Sequence, residues 1–204
     1  MSIDGIPINQ PRRKDRAVAD EGWIKSMLRR AAYGTLAIAV GSQPYAHPNL
    51  FAYDEPANAI YWHTAREGRA RDSVAANGQV CFCVGEMGRL LPAKTALNMS
   101  VEYASVVVFG HVAIVNDPAE AQHGLQLLLD KYFAHLKPGE DYRPITGDEL
   151  ALTTVYRIDI ESWSGKRKQV EPDFPGAFFY RAGEILSLIH ISEPTRLLSI
   201  SYAV

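Results

Sequence analysis

Short apolar segments separated by turn residues dominate the middle of this chain. From Gly34 onward, "GTLAIAV" is followed by "GSQP", "YAHPNLFAYD" is followed by "EPAN", and "AIYWHT" comes next. Strands joined by such tight turns pair antiparallel, because a parallel pair needs a long crossover between its strands. Three further segments, "QVCFCVGE", "EYASVVVFGHVAIV" and "ALTTVYRIDIESWSG", bring the number of predicted strands to six. The second of these three is long enough to bend at Gly110.

Helices are predicted on either side of these strands. In "ADEGWIKSMLRRAAYG", Asp20 is a suitable N-cap and Gly34 stands where a helix ends. In "NDPAEAQHGLQLLLDKYFAHLKPG", Asp117 can cap and Pro118 suits the first helical position. The predicted core stripe of this second helix consists of Leu125, Leu128, Leu129, Tyr132 and Phe133. A mainly β (α+β) chain with six antiparallel strands and flanking helices predicts a closed or nearly closed barrel.

Composition limits the classes of function. The chain has 204 residues, 47% of them hydrophobic and 22% charged, which is typical of a soluble globular protein. A formal net charge of -2 gives no basic field for nucleic acid. The apolar runs are shorter than the roughly 20 residues of a membrane span, and no secretory signal is recognised at the start. Cys81 and Cys83, the two cysteines, would lie side by side on one strand without a disulfide. We therefore expect a cytoplasmic protein with no membrane partner.

The segment Tyr61–Val74, "YWHTAREGRARDSV", carries the clearest chemical pattern. A strand ends at His63-Thr64, a turn contains Gly68, and arginines cluster at the start of a predicted helix. A hydroxyl, free backbone N–H groups and guanidinium groups favour an anion, most simply a phosphate. The alternative is a solvated polar helix start, since no nucleotide-binding glycine pattern accompanies the arginines.

Other chemical patterns are weaker. His47, His63 and His111 are widely spaced and lack the i, i+4 pairing of a helical metal site, so no metal is predicted. The basic loop "SGKRKQ" after the last strand is most simply a solvated surface.

Taken together, the segments resemble the pyridoxamine 5'-phosphate oxidase-like flavin-binding split barrels, and among them the nitroimidazole-resistance (Nim-like) branch. The resemblance covers roughly Arg12 to Lys168. It depends on the order of "RRKDRAVAD", "AAYGTLAI", "PYAHPNLFAYDE", "IYWHTAREGRARDSV", "VCFCV", "EYASVVVFGHVAIV" and "YRIDIESWSGKRK". It implies an antiparallel six-stranded split β-barrel and a homodimer with two FMN sites, each built from both chains.

The resemblance also implies a set of cofactor contacts. The isoalloxazine ring would lie along the "HPNLFA" strand, the end of the neighbouring strand would meet the flavin, and the turn would serve the phosphate. The residues implied, in chain order, are Asn49, Leu50, Phe51, His63, Thr64, Gly68, Arg69 and Arg71. Family members commonly have a lysine where this chain has Ala70, so Arg69 or Arg71 would have to supply that phosphate contact.

The activity implied is that of an FMN-dependent oxidoreductase acting on a nitro compound or a similar small electrophile. His63 would be the catalytic residue, as a proton or hydrogen-bond donor near the flavin; alternatively it is a packed histidine at a strand end. The chain lacks the arginine-and-histidine signature of true pyridoxamine-phosphate oxidases, which disfavours that substrate. A non-catalytic flavin- or haem-binding storage or sensor protein is the second function considered, and deazaflavin F420 is an alternative to FMN.

The end of the chain differs in character from the rest. "LSLIHISEPTR" resembles the translation of a transposon-type sequencing adapter, and "LLS" and "ISYAV" fit the sample index and the outer adapter end that would follow. We therefore expect residues 1–185 to form one flavin-binding domain and residues 186–204 to be a translated adapter. No function is assigned to His190 or its neighbours.

Overall fold

The computed structural model describes residues 2–3 and 6–181 of the chain. The helices are α1 (Glu21–Arg30), α2 (Arg69–Ala76), α3 (Pro118–Tyr132) and α4 (Gly147–Ala151). The strands are β1 (Ser2–Ile3), β2 (Ile6–Pro7), β3 (Ala17–Val18), β4 (Gly34–Val40), β5 (Gln43–Asn49), β6 (Ala52–Asp54), β7 (Ala59–Ala65), β8 (Gln79–Leu91), β9 (Ser100–Ile114), β10 (Thr153–Lys168) and β11 (Phe178–Phe179). The expected adapter translation, residues 186–204, lies outside the described residues.

One antiparallel sheet organises the fold. Its strands lie in the order β5-β4-β8-β9-β10-β7-β6, with β3 on β10 and β11 on β8. The six long strands β4, β5, β7, β8, β9 and β10 are the six predicted, so the mainly β, split-barrel prediction is confirmed. Within the described residues, the sheet differs from the prediction in having nine strands and in being open. The three additional strands, β3, β6 and β11, have only two or three residues each, too few to give a periodic pattern.

The sheet stays open because the chain breaks between β5 and β6. The sequence "YAHPNLFAYD" predicts one strand, but the pairing of β5 with β4 ends at Asn49, and β6 begins at Ala52 on β7. Leu50 and Phe51 therefore lie between two strands that occupy opposite ends of the sheet. This break positions two of the predicted cofactor residues.

The helix caps follow the sequence. Asp20 accepts a hydrogen bond from the Trp23 N–H, and Asp117 accepts one from the Glu120 N–H. Helix α3 packs closely on the sheet at the buried Gly124, where a Cβ atom would stand 2.7 Å from Cδ1 of Tyr61. The predicted core stripe of α3 is only partly correct, because Leu128 is buried but Phe133 is 47% exposed.

The core lies mainly against the inner face of the sheet. There β8 and β9 contribute alternate residues, including Phe82, Val106 and Val108, which are almost fully buried. The bend expected at Gly110 corresponds to a shift in the pairing of β9 with β10, between Ile160 and Ser162. A β-bulge of this kind increases the local twist of a sheet.

Contacts divide the chain into two compact units. The first contains Met1–Met87 and Tyr103–Gln169 and includes all predicted cofactor residues. The second contains, among the described residues, Gly88–Glu102 and residues 170–181. Within the second unit, Arg89 donates to both carboxylate oxygens of Glu102 at 2.8 Å and to the Pro172 carbonyl at 2.7 Å. None of the helices in the described ranges is long and apolar enough to cross a membrane.

Candidate functional site

The predicted site residues at the end of β7 lie on opposite faces of the sheet. Side chains alternate along a strand, so His63 shares a face with Tyr61, and Thr64 shares a face with Trp62. The pairing of β7 with β10 places His63 opposite Val155 and Thr64 opposite Thr154. The two neighbouring residues therefore contribute to two different surroundings.

The face of Thr64 carries the groups suited to a phosphate. Thr64 Oγ1 lies 3.0 Å from the Tyr156 hydroxyl, and Arg71 Nη1 donates to Thr154 Oγ1 at 2.9 Å. The Arg69 guanidinium lies 5.2 Å from the ring centroid of Tyr45. These residues bring hydroxyl and guanidinium groups to the N-terminal end of α2.

Gly68 lets the chain enter α2 in a conformation that other residues rarely adopt. Its φ is 136° and its ψ is 166°, a region populated almost only by glycine. A Cβ atom there would meet nothing within 4 Å, so the space beside the turn is open. Helix α2 has no side-chain N-cap, and the first N–H groups of a helix lack partners within it. The turn therefore presents backbone donors to an open space beside Arg69.

Ala70, where the resemblance implies a lysine, is buried in this chain. Ala70 is 6% exposed and belongs to the hydrophobic core. Arg69 is exposed beside it, in a cavity of about 320 Å³ that Tyr45, Gln43 and Asp72 also line. Arg71 is half-buried and already bonded to Thr154. Of the two arginines, Arg69 is therefore the more available to a ligand.

Asn49 connects the end of β5 to the end of β7. Its Nδ2 donates to the His63 carbonyl at 3.1 Å and lies 3.4 Å from His47 Nε2, while its Oδ1 accepts from the Leu50 N–H at 2.8 Å. All the polar atoms of the Asn49 side chain are thereby engaged. The side chain fixes where β5 ends relative to the end of β7.

Leu50 and Phe51 differ in what they offer to a ligand. The Leu50 side chain is 45% exposed, whereas the Phe51 side chain is fully buried, with its ring 4.8 Å from that of Phe82. The N–H and the carbonyl of Phe51 are both bonded to the Tyr132 hydroxyl at 3.1 Å. Phe51 therefore supports the segment, and Leu50 is its accessible part.

A cavity of about 420 Å³ lies on the face of His63, and we call it the α3 cavity. Its apolar wall contains all five members of the predicted core stripe together with Leu50. The other residues that line it are His63, Tyr142, Arg143, Ile145, Glu149 and Thr153. Partial removal of His63 from water lowers its pKa below the ordinary value, which favours a neutral imidazole at pH 7. The cavity size is within the range of small-molecule sites.

Several residues near the site were missed from the sequence. Tyr156 stacks on Trp62, with ring centroids 4.0 Å apart and planes 9° from parallel. The two residues pair across β10 and β7, and the sequence alone does not indicate this pairing. Trp62 Nε1 is the one buried side-chain polar atom without a hydrogen-bond partner within the described part of the chain. Lys131 and Tyr132 contact the Phe51 backbone from α3, and a lysine next to an apolar stripe was the available hint.

The other large features of the molecule do not involve the predicted residues. A cavity of about 460 Å³ is lined by the segment before α1 and by β10, and contains none of them. Across residues 6–181, no group of three or more His, Cys, Asp and Glu side chains is placed to hold a metal ion. Cys81 and Cys83 are free thiols on the outer face of β8, and burial raises the pKa of each.

Solved structures with a similar fold include several flavin proteins. The flavocytochrome Anf3 from Azotobacter vinelandii is 22% identical, with a TM-score of 0.69 over 84% of each chain. An FAD and haem binding protein from Mycobacterium smegmatis is 21% identical, with a TM-score of 0.66 over 85% of this chain and 80% of that one. A candidate 5-nitroimidazole antibiotic resistance protein from Bacteroides thetaiotaomicron is 20% identical, with a TM-score of 0.62 over 74% of this chain and 86% of that one. At these identities the likeness shows the fold.

Sequence comparison identifies the family. No curated protein sequence matches the chain. The family model described as Pyridoxamine 5'-phosphate oxidase matches residues 20–167, which is well over half of the chain and includes every predicted site residue. The predicted family is confirmed: this protein belongs to the pyridoxamine 5'-phosphate oxidase family.

Proposed function

We propose that this protein binds FMN and acts as an FMN-dependent oxidoreductase on nitro compounds or similar small electrophiles, as in the Nim-like branch. The observation that carries the proposal is the junction at the end of β7. There an open, arginine-bearing helix start on one face adjoins an apolar cavity with a histidine on the other. Family membership supports a flavin, and so do fold neighbours described as a flavocytochrome and as an FAD and haem binding protein.

The residues present fit a flavin phosphate. Gly68 leaves open space beside the first turn of α2, since a Cβ atom there would meet nothing within 4 Å. The first-turn N–H groups of α2 and the Arg69 guanidinium would hold the phosphate, with Thr64 and Arg71 contributing polar groups nearby. Arg69 in this role replaces the lysine that is missing at Ala70.

The ring end would be held by the break between β5 and β6. Asn49 fixes the Leu50 N–H, and the Leu50 side chain is presented to the α3 cavity beside His63. When bound, flavin supplies the transfer of a hydride or of electrons. A neutral His63 can donate one hydrogen bond to an acceptor atom of a substrate in the cavity, and the leucine wall offers that substrate an apolar surface.

We propose that the protein is a homodimer. In the single chain, the outer faces of β8 and β9 leave Val107, Phe109 and Cys81 half-exposed and Cys83 exposed. An apolar sheet face of this kind is usually covered by a partner, and a two-fold interface covers it in both copies at once.

Substitution of Arg69 tests the phosphate assignment. Loss of a charge-assisted contact worth roughly 1.5–3 kcal/mol makes FMN binding about 10- to 150-fold weaker in Arg69→Ala. Riboflavin lacks the phosphate, so its affinity should hardly change. The control is Arg66→Ala, which removes an exposed arginine from the other side of Gly68. Both affinities can be measured by quenching of flavin fluorescence.

Two results would contradict the assignment. Equal weakening of FMN and riboflavin in Arg69→Ala would mean that the substitution damages the structure and not a phosphate contact. Absence of FMN binding by the unchanged protein would refute the proposed function itself. Substrate-dependent reoxidation of bound reduced flavin then separates an enzyme from a flavin-binding protein.

A haem-binding storage or sensor protein is the second candidate. The observation that favours it is His63, a histidine whose neutral form is favoured, facing a cavity walled by leucines. Neutral imidazole is a common ligand of haem iron, so His63 would be the residue that holds the iron. An absorbance titration with haemin decides between the two, because a His63→Ala-sensitive Soret band is expected only if haem is ligated there.

A further inference from the structure

The last two residues of α3 contact the break between β5 and β6. Lys131 Nζ donates to the Phe51 carbonyl at 2.9 Å and to the Ala31 carbonyl at 2.7 Å. The Tyr132 hydroxyl accepts from the Phe51 N–H at 3.1 Å, and its proton is shared between the carbonyls of Ala32, at 2.9 Å, and Phe51, at 3.1 Å. We call Lys131 and Tyr132 the α3 clamp.

The α3 clamp supplies hydrogen bonds that the sheet does not. Phe51 lies outside both strands, so neither its N–H nor its carbonyl has a partner in the sheet ladder. A buried peptide group without a partner costs about as much as a lost hydrogen bond, and Phe51 is fully buried. The clamp also holds the carbonyls that follow α1, where a cation is favoured by the helix dipole.

Lys131 is an unusual residue for this position. Its ammonium lies 3.7 Å from the centroid of the Phe51 ring, and burial lowers its pKa to about 8. Taking a lysine out of water is unfavourable unless its N–H groups are satisfied, and both protonation states retain enough N–H groups for the two carbonyls. A hydrophobic residue would fill the same space without this cost, so the polar contacts are the feature to be explained.

We propose that Lys131 and Tyr132 are positioning residues that hold Leu50 in place for the flavin ring, an inference that rests on the proposed function. Leu50 is fixed on one side by Asn49 and on the other by Phe51, and Phe51 is fixed by the clamp. Its side chain then reaches the α3 cavity next to His63. Without the clamp, the Leu50–Phe51 segment has no main-chain hydrogen bonds beyond the one to Asn49.

The test uses Lys131→Met and Tyr132→Phe, each of which removes hydrogen-bonding groups while keeping most of the side-chain volume. In the ligand-free protein, amide exchange at Phe51 should become at least about 5-fold faster in Tyr132→Phe, because a typical hydrogen bond is worth that factor. Riboflavin and FMN should both bind roughly 3- to 10-fold more weakly in each variant, since the ring end is affected and the phosphate end is not.

Two controls separate positioning from a general loss of stability. Lys137→Met removes an exposed lysine just beyond α3, whose partner is the surface Glu140, and should change neither exchange nor affinity. Gly110→Ala destabilises the fold where β9 pairs with the bulge of β10 and should leave riboflavin affinity unchanged. The double variant Lys131→Met/Tyr132→Phe should weaken riboflavin by less than the product of the single effects, because both residues act on the Phe51 carbonyl.

The possible outcomes each decide a different point. Unchanged amide exchange at Phe51 in both single variants would show that Lys131 and Tyr132 do not hold this segment, irrespective of the flavin affinities. Faster exchange with unchanged riboflavin affinity would overturn the positioning role while the clamp remains. An unchanged protein that binds neither riboflavin nor FMN would refute the proposed function, and the positioning role with it.

Discussion

Helix α3 approaches the sheet closely at Gly124, and Gly124→Ala tests whether that approach is required. In the helix interior, alanine is favoured over glycine by about 0.8–1 kcal/mol. Against this, the added Cβ would stand 2.7 Å from Cδ1 of Tyr61 and 3.2 Å from Cγ1 of Val155. Tyr61 is 1% exposed and its hydroxyl donates to Glu120 at 3.0 Å, so its ring has no room to withdraw.

The steric cost should exceed the gain in helix propensity. Overpacking of a rigid contact costs about 1–3 kcal/mol, which leaves a net destabilisation of roughly 1 kcal/mol. For a domain of this size, 1 kcal/mol corresponds to a decrease of about 2–4 °C in the unfolding midpoint. Urea unfolding and a thermal scan followed by circular dichroism would measure both quantities.

Gln122 provides the matched control on the same helix. It is exposed, so the difference between Gln122→Gly and Gln122→Ala measures helix propensity alone and should favour alanine by about 0.8–1 kcal/mol. The difference between the two sites is then the steric cost at Gly124. If Gly124→Ala were as stabilising as the change at Gln122, α3 would not be seated on Tyr61 in the way the structure shows.

Two further predictions concern other parts of the sheet. Gly110→Ala should destabilise the folded protein by about 1–3 kcal/mol or more, because the added Cβ would stand 2.1 Å from the Asp159 carbonyl oxygen. Gly147→Ala should not destabilise it, because a Cβ atom there would meet nothing within 4 Å. Urea unfolding of the two variants measures the difference. Arg89 holds the pKa of Glu102 at about 2, below its ordinary 4.5, so the stability this pair contributes should be present above pH 4.5 and be lost as pH falls toward 2. Protection of the Val170 amide from exchange should follow that loss, because its N–H donates to Glu102. Glu102→Gln should abolish this pH dependence of the protection.

Much of the fold could be predicted because it depends on local patterns. Asp20 and Asp117 cap as their positions indicate, since a cap is decided by a few adjacent residues. The break at Leu50–Phe51 could not be predicted, because an apolar run from Leu50 to Tyr53 continues across it and only pairing with β4 and β7 ends each strand. Short strands such as β6 depend on tertiary contacts that no window of sequence contains.

The sequence identifies candidate site residues but does not indicate how they are arranged. The apolar stripe of α3 identifies a buried face but not whether its surroundings are filled, and here Phe133 faces an open cavity. The opposite directions of His63 and Thr64 follow from strand alternation, whereas the resemblance had placed both at the flavin. Lys131 could not be recognised, since its contacts with Phe51 join residues 80 positions apart.

The prolines of β5 bear on how two copies of the chain can meet. Pro44 and Pro48 lie four residues apart on this edge strand, so their backbone nitrogens, which carry no hydrogen, are on the same side of the strand. That side is the one away from β4, because proline cannot donate to the hydrogen bonds that pair β5 with β4. An edge without these donors is a poor template for a further strand, which argues against a dimer formed by extending the sheet. The outer face of β8 and β9 is then the better surface, and Phe109→Glu should shift the light-scattering mass from dimer to monomer while Pro48→Thr leaves it unchanged. The opposite result, a dimer that survives Phe109→Glu but is altered by Pro48→Thr, would place the interface at the β5 edge.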